Sequence, residues 1–394
     1  MFVAAGWACV TWLRKPALVQ IGAWILVTAI IGGTTVLAYP PAQDRRAGGE
    51  HPTTAAVPTK QGPVTGVYSD DRSVEIYAGI PYAQAPVGRL RWAAPQPPRK
   101  RTTVFAADHF SDVPIQTTSS FAIRALSKIV TIPLKNTFLN PYPASENSLS
   151  LNVWRSSTTP ASKKVPVLVY VPGGGFVSGS GALPVYDGAA LAKRGEVITV
   201  TINYRLGVFG FLSDRSLDSQ SPTGTSGNQG ILDQVAALQW VHDNIASFGG
   251  NPDQVTVAGE SAGGESTCIL GATPLTKGLI NGIIGESGAC MGTVGNTAHG
   301  DQMDTKKVAE SAGERLSKAL GGASLAQMRA MPVSKILAAA SSLSAHWRPS
   351  VDGYVLPTSA PEIYERGEQL HVPTLVGSNE DEASLLLAAP PNTD

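Results

Sequence analysis

A serine stands at the centre of the motif Gly259 to Gly263, directly after the apolar segment Val255 to Ala258. The small residues beside it let the chain fold back sharply, so the pattern predicts a strand-to-helix turn with Ser261 at its tip. The first N–H groups of the following helix would face the same point, and the N–H of Ala262 would stabilise a negatively charged oxygen there. The motif predicts a nucleophile for acyl transfer, although so short a pattern also occurs by chance in a glycine-rich chain.

A second glycine cluster, Pro172-Gly173-Gly174-Gly175-Phe176, follows the apolar segment Val165 to Val171. Consecutive glycines let the backbone approach a reacting group closely, because no Cβ intervenes. We expect the N–H groups of Gly174 and Gly175 to join that of Ala262 in an oxyanion hole. An ordinary glycine-rich turn is the alternative. A phosphate-binding loop does not fit, because no Gly-Lys-Ser/Thr sequence follows.

Short apolar runs alternate with a clear amphipathic helix in the body of the chain. The helix is predicted from about Gln229 to Ser247, where apolar residues recur at steps of three and four. Buried strands are predicted at residues 165–171, 197–202, 255–258, 279–284 and 372–376. This alternation predicts an α/β domain with a mostly parallel central sheet flanked by helices. Active sites of such sheets lie at the carboxyl ends of the strands, where both glycine motifs occur.

Composition excludes several classes of function. The 30 Lys and Arg residues balance 30 Asp and Glu residues, and charged residues make up only 15% of the chain. No block of like charge is present, which argues against nucleic-acid binding as the main purpose. Neither a metal-ligand spacing nor a nucleotide loop occurs, so we expect no metal and no organic cofactor. Only Cys268 and Cys290 lie in the body, so we expect core burial, and no disulfide framework, to hold the fold together.

The first residues differ from the rest of the chain. Arg14 and Lys15 precede an uncharged, apolar stretch from Ala17 to Ala38, which is long enough to enter a membrane. Residues 1–38 are therefore predicted to be a cleaved signal peptide or a retained membrane anchor. Either reading predicts export, with the body secreted, periplasmic, or anchored outside the cytoplasm. Residues 39–61 read as a linker and residues 62–394 as the folded domain, and the sequence gives no indication of oligomeric state.

The ungapped segment around the serine, Phe248 to Gly263, resembles the type B carboxylesterase/cholinesterase family. Further segments with the same resemblance occur in the family's order, at residues 79–83, 86–88, 90–92, 203–207, 210–212 and 227–234. The resemblance covers residues 62 to about 390. It implies the α/β-hydrolase fold and hydrolysis of a small-molecule carboxylic ester without a cofactor.

The acid of such a site is expected after the predicted strand 372–376. The residues alone leave Glu380, Asp381 and Glu382 as equal candidates. The resemblance implies that Glu382 is the acid of a catalytic triad, where it would orient a histidine and stabilise its cation.

The resemblance gives other polar residues supporting roles. It implies that Ser287 supports the catalytic histidine, whereas Glu260 either adds negative charge to the pocket or is a structural acid. It also implies two buried ion pairs, Arg91 with Glu146 and Arg205 with Asp233.

The histidine of the triad is not found where the resemblance requires it. The order in this fold is serine, acid, histidine, and residues 383–394 contain no histidine. His346 is the least implausible substitute, because it lies in the register of the family's acyl pocket; the others are His51, His109, His242, His299 and His371. We therefore expect the last strand and the histidine loop to be missing. The chain is either a serine carboxylesterase lacking its histidine segment or an inactive homologue, a relic or a binding protein.

Overall fold

A computed structural model of the chain describes residues 16, 19, 24–28, 30, 45–50, 52–116, 143–288, 290–291 and 303–382. The signal or anchor predicted over residues 1–38 lies mostly outside this part. Within it, no helix has the length and apolar character needed to cross a membrane. Contacts divide the chain into two units. Of the first, Met1–Asp44 with Ser119–Lys135, residues 24–28 are described as helical.

The second unit, Arg45–Thr118 with Asn136–Asp394, contains the α/β domain. Its described strands are β1 (Val64–Thr65), β2 (Val67–Tyr68), β3 (Val74–Pro81), β4 (Phe105–Ala106), β5 (Ser150–Ser156), β6 (Val165–Val171), β7 (Ile198–Ile202), β8 (Gly250–Glu260), β9 (Gly282–Glu286), β10 (Asp304–Thr305), β11 (Ser350–Val351) and β12 (Thr374–Gly377). Its described helices are α1 (Ala189–Lys193), α2 (Gly207–Phe211), α3 (Arg215–Gln220), α4 (Gln229–Asn244), α5 (Ala262–Ala272), α6 (Lys306–Ala319), α7 (Leu325–Ala330), α8 (Val333–Ser341) and α9 (Ala360–Glu365).

Among the described residues, eight strands form one mixed sheet in the order β12-β9-β8-β6-β7-β5-β3-β2. The five strands from β12 to β7 are parallel to their neighbours, whereas β5, β3 and β2 add on in antiparallel order. All five predicted strands are present, as β6, β7, β8, β9 and β12. The antiparallel strands had no counterpart in the sequence prediction, and they make the sheet mixed.

One predicted strand starts later than expected. The strand predicted at 279–284 begins only at Gly282, because Leu279 closes a turn by donating its N–H to the Thr276 carbonyl. Leu279 and Ile280 are buried all the same, with 7% and 3% of their surface exposed. Burial in a loop therefore produced an apolar run that reads as a strand.

The predicted amphipathic helix is α4, which continues as a 3-10 turn over Ile245–Phe248. Its apolar stripe is buried, with Ile231, Leu238, Val241 and Ile245 at 1% exposure or less. The stripe belongs to the same core as the central strands, whose valines leave almost no exposed surface. Burial of these side chains is the main stabilisation of the domain.

Residues 45–61, which fall in the predicted linker, contact the domain where they are described. Val57 exchanges backbone hydrogen bonds with Val64, and only 8% of it is exposed. The Thr54 hydroxyl accepts a hydrogen bond from the Gly66 N–H at 2.8 Å. The domain boundary at residue 62 stays a prediction.

β12 is an end strand of the described sheet. All four of its residues are exposed, including Leu375 at 66% and Val376 at 58%. The sequence predicts that a last strand and a histidine loop, which would follow β12, are missing. Because residues 383–394 lie outside the described part, this absence remains a prediction.

Both ion pairs implied by the resemblance are present and buried. Arg205 contacts Asp233 through two side-chain hydrogen bonds of 2.7 Å, and Asp233 has no exposed surface. Arg91 contacts Glu146 in the same two-pronged geometry, at 2.7 and 2.6 Å. Arg205 also donates to the Ala93 carbonyl, so this pair connects the loop after β7 to α4 and to the segment after Arg91.

We predict that Asp233→Ala destabilises the fold by about 3–5 kcal/mol, because it leaves the Arg205 cation buried without its partner. The double variant Arg205→Met/Asp233→Leu should lose clearly less, since no charge then stays buried. Unfolding in urea measures both free energies. Arg366→Ala, which removes an exposed ion pair with Glu362 on α9, is the control and should cost less than about 1 kcal/mol. A single variant no worse than the double variant would contradict the prediction.

Candidate active site

The predicted turn at the serine is formed between β8 and α5. Ser261 has φ of 57° and ψ of −122°, a left-handed conformation that is rare for a residue with a side chain. A Cβ at Gly259 would lie 2.5 Å from the Gly263 carbonyl carbon, so the chain folds back on itself only because that position is glycine. Among the described residues, nothing hydrogen-bonds the Ser261 hydroxyl, which is therefore available for chemistry.

The glycine loop after β6 lies against this turn. A Cβ at Gly173 would come within 2.5 Å of the Glu260 carbonyl, which places the start of the loop directly on the residue before the serine. Gly174 and Gly175 both have positive φ, at 114° and 62°. Within the described part of the chain, their N–H groups and that of Ala262 donate to no acceptor. The turn and the loop therefore bring three unengaged donors to one end of the sheet.

The side chain of Phe176 anchors the far end of the loop. It is completely buried, and its ring contacts the ring of Phe211 edge-on at 5.4 Å between centroids. The N–H of Gly207 donates to the Phe176 carbonyl at 2.7 Å. These contacts hold the loop in a strained backbone conformation that its glycine residues make possible.

Of the three candidate acids, Glu382 is the one in contact with a predicted site residue. Its Oε1 accepts hydrogen bonds from the Ser287 hydroxyl and, at 2.6 Å, from the Asn379 N–H. These two donors, Ser287 first, lower the pKa of Glu382 below its usual value. The carboxylate is therefore ionised at neutral pH, which its exposure to water also favours.

Ser287 links the acid to the nucleophile through the backbone. The N–H of Ser261 donates to the Glu286 carbonyl at 2.9 Å, and the N–H of Ser287 donates to the Gly377 carbonyl at 2.7 Å. The turn of the nucleophile, the end of β9 and the end of β12 thus form one connected group. Ser287 also has a left-handed φ of 48°, so two strained serines face this edge of the sheet.

Three carboxylates give this region a negative charge. Partial burial raises the pKa of Glu260, and the neighbouring charges of Glu382 and Glu286 raise it further. Ionisation of Glu260 therefore costs more in the folded protein than in the unfolded chain.

None of the described histidines contacts the residues of the predicted site. His109 contacts Asp108, and His242 lies on α4 beside Asp243. His346 is exposed in the segment between α8 and β11, and His371 precedes β12 at the amino end of that strand. None of them hydrogen-bonds Ser261 or Glu382, whereas His51 and His299 lie outside the described residues. In the described part, no cluster of histidine, cysteine and acidic side chains is arranged to hold a metal ion.

Sequence reasoning missed a buried ion pair beneath the nucleophile. Glu265 lies on α5 one turn after Ser261 with 1% of its surface exposed, and its Oε2 accepts a hydrogen bond from Arg348 at 2.9 Å. The Arg348 guanidinium lies 5.7 Å from the centre of the Phe176 ring. The pair therefore connects α5 to the glycine loop after β6. The only signal for it in the sequence is a charged residue within an otherwise uncharged helix.

Sequence reasoning also missed a covalent connection. Cys268 on α5 and Cys290, just after β9, form a disulfide, with their Cα atoms 5.1 Å apart. The expectation that core burial alone holds the fold together was therefore wrong. Two cysteines 22 residues apart do not show from sequence alone that the chain brings them together.

Comparison with known proteins places this chain in the carboxylesterase family. The sequence model described as the carboxylesterase family matches residues 53–393. A fumonisin B1 esterase of Sphingopyxis macrogoltabida is 34% identical over 94% of this chain, and a para-nitrobenzyl esterase of Bacillus subtilis is 36% identical over 86%. The solved structure of a carboxylesterase from Geobacillus stearothermophilus is 35% identical over 86% of the chain, with a TM-score of 0.71.

The matches differ from this chain in length. The chain covers 63% of the fumonisin B1 esterase, 64% of the para-nitrobenzyl esterase and 64% of the Geobacillus structure. It therefore spans less than two thirds of each of these proteins.

We predict that Glu260→Gln raises the melting temperature at pH 7 and has little effect below about pH 4. The raised pKa means that the folded state binds a proton on Glu260 more tightly than the unfolded state, so ionisation at neutral pH destabilises the fold. Calorimetry of the parent and the variant between pH 4 and pH 8 measures the difference.

Glu196→Gln is the matched control, because it removes the same charge from an exposed position away from the turn. A Glu260→Gln gain that is equal at pH 4 and pH 7, or that the control reproduces, would contradict the assigned cause.

Proposed function

The chain belongs to the carboxylesterase family, and on that premise we propose that it is a serine carboxylesterase with Ser261 as its nucleophile. The strained turn at Ser261 carries the proposal. It presents a hydroxyl with no partner among the described residues at the carboxyl end of β8, beside the glycine loop. A strand-turn-helix of this kind is the context in which the motif acts in catalysis.

The reaction follows from this geometry. The Ser261 oxygen attacks the ester carbonyl carbon while its proton passes to a base, and the carbonyl oxygen becomes negatively charged. The N–H groups of Gly174, Gly175 and Ala262 would bind that oxygen. Each such donor typically contributes on the order of 10²–10³ in rate, because it is fixed before charge develops. The alcohol then leaves with a proton, and water releases the acid from the serine.

Glu382 is proposed to orient the base. Its pKa is lowered by Ser287 and Asn379, so the carboxylate is ionised and suited to stabilise an imidazolium. The base itself would be a histidine, and residues 383–394 supply none. We therefore propose that these 394 residues lack the histidine segment and form an incomplete Ser-Glu-His triad. The alternative is a catalytically inactive homologue, a relic or a binding protein, and the experiments below distinguish the two.

The substrate is proposed to be a small, uncharged or cationic carboxylic ester. Glu260 precedes Ser261, the Glu286 carbonyl accepts the Ser261 N–H, and Glu382 contacts Ser287, so these three acids share this edge of the sheet. An anionic ester would be repelled there. The relatives' names describe esterases of fumonisin B1 and of para-nitrobenzyl esters, so a nitrophenyl ester is a suitable probe.

Export is proposed on the basis of two features. The apolar residues 17–38 follow two basic residues, and a disulfide is present in the body. Disulfides persist mainly outside the reducing cytoplasm. The body would then lie outside the cytoplasm, either released by cleavage or held by residues 17–38 as an anchor.

The first test is modification of the nucleophile. With imidazole added as the base, a fluorophosphonate should react with the Ser261 oxygen, with loss of fluoride, and mass spectrometry should find the adduct on the peptide that contains Ser261. Ser261→Ala should show no adduct, and Ser157→Ala, which removes an exposed hydroxyl away from the turn, should react like the parent. Equal reaction of the parent and Ser261→Ala would contradict the assignment.

The second test supplies the missing base from solution. We predict that imidazole increases hydrolysis of p-nitrophenyl acetate by the parent beyond the rate measured with Ser261→Ala, because a base from solution can then accept the Ser261 proton. The variant also corrects for the reaction of imidazole itself with the ester. If the parent never exceeds Ser261→Ala at any imidazole concentration, these 394 residues are not a hydrolase and the binding alternative stands.

A further inference from the structure

The disulfide joins the two segments that carry the nucleophile and the partner of the acid. Cys268 lies on α5 two turns after Ser261, and Cys290 follows Ser287 by three residues. Cys268 is 1% exposed, whereas Cys290 is half-buried. The crosslink therefore has one protected end and one end nearer to solvent.

The segment from Glu286 to Gly288 packs directly on the first turn of α5. A Cβ at Gly264 would lie 2.8 Å from the Glu286 carbonyl and 3.0 Å from the Gly288 Cα. Together with the hydrogen bond from Ser261 to Glu286, this contact sets the distance between the nucleophile and Ser287. The disulfide repeats the connection one turn further along the same helix.

The hydrogen bonds of Ser287 lie on the side of β12 and Glu382. The pairing of β9 with β8 ends at Glu286, so the residues that follow have left that ladder. On the other side, Ser287 contacts the end of β12, a strand of four exposed residues. Next along the chain, Met291 is 58% exposed. From the side of α5, the crosslink therefore restrains Cys290, beyond the contact of Gly288 with Gly264.

We infer that the Cys268–Cys290 disulfide is a redox-sensitive positioning crosslink for the active site. In the oxidised protein it holds Ser287, and with it the Glu382 carboxylate, at a fixed distance from Ser261. Reduction frees the segment after β9 and loosens the acid. This role rests on the proposed function, because it regulates the same serine and acid.

A dithiol opens the Cys268–Cys290 disulfide in two exchange steps. A thiolate of the dithiol attacks the Cys290 sulfur, the sulfur–sulfur bond breaks, and the Cys268 sulfur leaves as a thiolate that takes up a proton. The second thiol of the reductant then displaces the Cys290 sulfur, which also becomes a thiol. Two electrons and two protons pass to the protein, and the reductant becomes a cyclic disulfide.

The experiment uses the full chain with dithiothreitol as the reductant. Titration of thiols in denaturant should find one thiol in the oxidised protein, Cys9, and all three cysteines after reduction. Hydrogen exchange should then show that reduction speeds exchange at the Ser287 amide by roughly tenfold, because its bond to Gly377 opens more often. The melting temperature should fall by roughly 5 °C.

Two variants separate the crosslink from general effects of the reductant. Cys290→Ser should show the fast exchange from the start and should not respond to dithiothreitol. Cys9→Ser keeps the disulfide and should respond like the parent. A crosslink that only stabilises the fold would lower the melting temperature but leave local exchange at Ser287 unchanged, and that result would overturn the inference. Three free thiols in the oxidised protein would overturn it as well.

The readouts also distinguish this inference from the proposed function. Redox-dependent exchange at Ser287 in a protein whose Ser261 never reacts would refute the esterase and leave the crosslink's positioning role in place. Reaction at Ser261, with exchange at Ser287 that reduction leaves unchanged, would refute the crosslink and leave the esterase.

Discussion

Ser261 joins β8 to α5 in a left-handed conformation that costs a residue with a side chain on the order of 1–3 kcal/mol. The surroundings must offset this cost, and they do so by close packing of backbone on backbone. Gly259 and Gly263 remove the side chains that would keep β8 and α5 apart, and the Glu286 carbonyl accepts the serine N–H. The same contacts decide where the glycine loop after β6 can lie. The site's geometry thus follows from one sharp turn.

Electrostatics around this turn divides into buried pairs and an exposed cluster. Buried charges are neutralised: Glu265 by Arg348, and Asp233 by Arg205. Breaking either pair would leave a charge in a medium that solvates it poorly. By contrast, Glu260 and Glu382 lie near the surface at the same edge and repel each other. This repulsion contributes to the raised pKa of Glu260. The fold tolerates this repulsion where water screens it, beside the residues proposed to act on a substrate.

Distant segments meet at Ser287. Its hydroxyl binds Glu382, its N–H binds Gly377, and the residues beside it pack on α5. Because β12 is an exposed end strand, it is a weak support for an acid. A covalent link between α5 and the segment after β9 supplies rigidity from the opposite side. This arrangement explains why so local a feature as one disulfide is expected to influence a carboxylate more than ninety residues away in sequence.

The sequence by itself determined the α/β class, the five parallel strands, the helix α4 and the turn at Ser261. These depend on local rules, namely apolar periodicity and the absence of a Cβ at glycine, and periodicity also explains the error at Leu279. Resemblance to a family added Glu382, which the residues alone could not separate from its neighbours Glu380 and Asp381. Only the tertiary structure decided the antiparallel strands, the Glu265–Arg348 pair and the Cys268–Cys290 disulfide. Each of these joins residues far apart in sequence, and their meeting depends on how the whole chain packs.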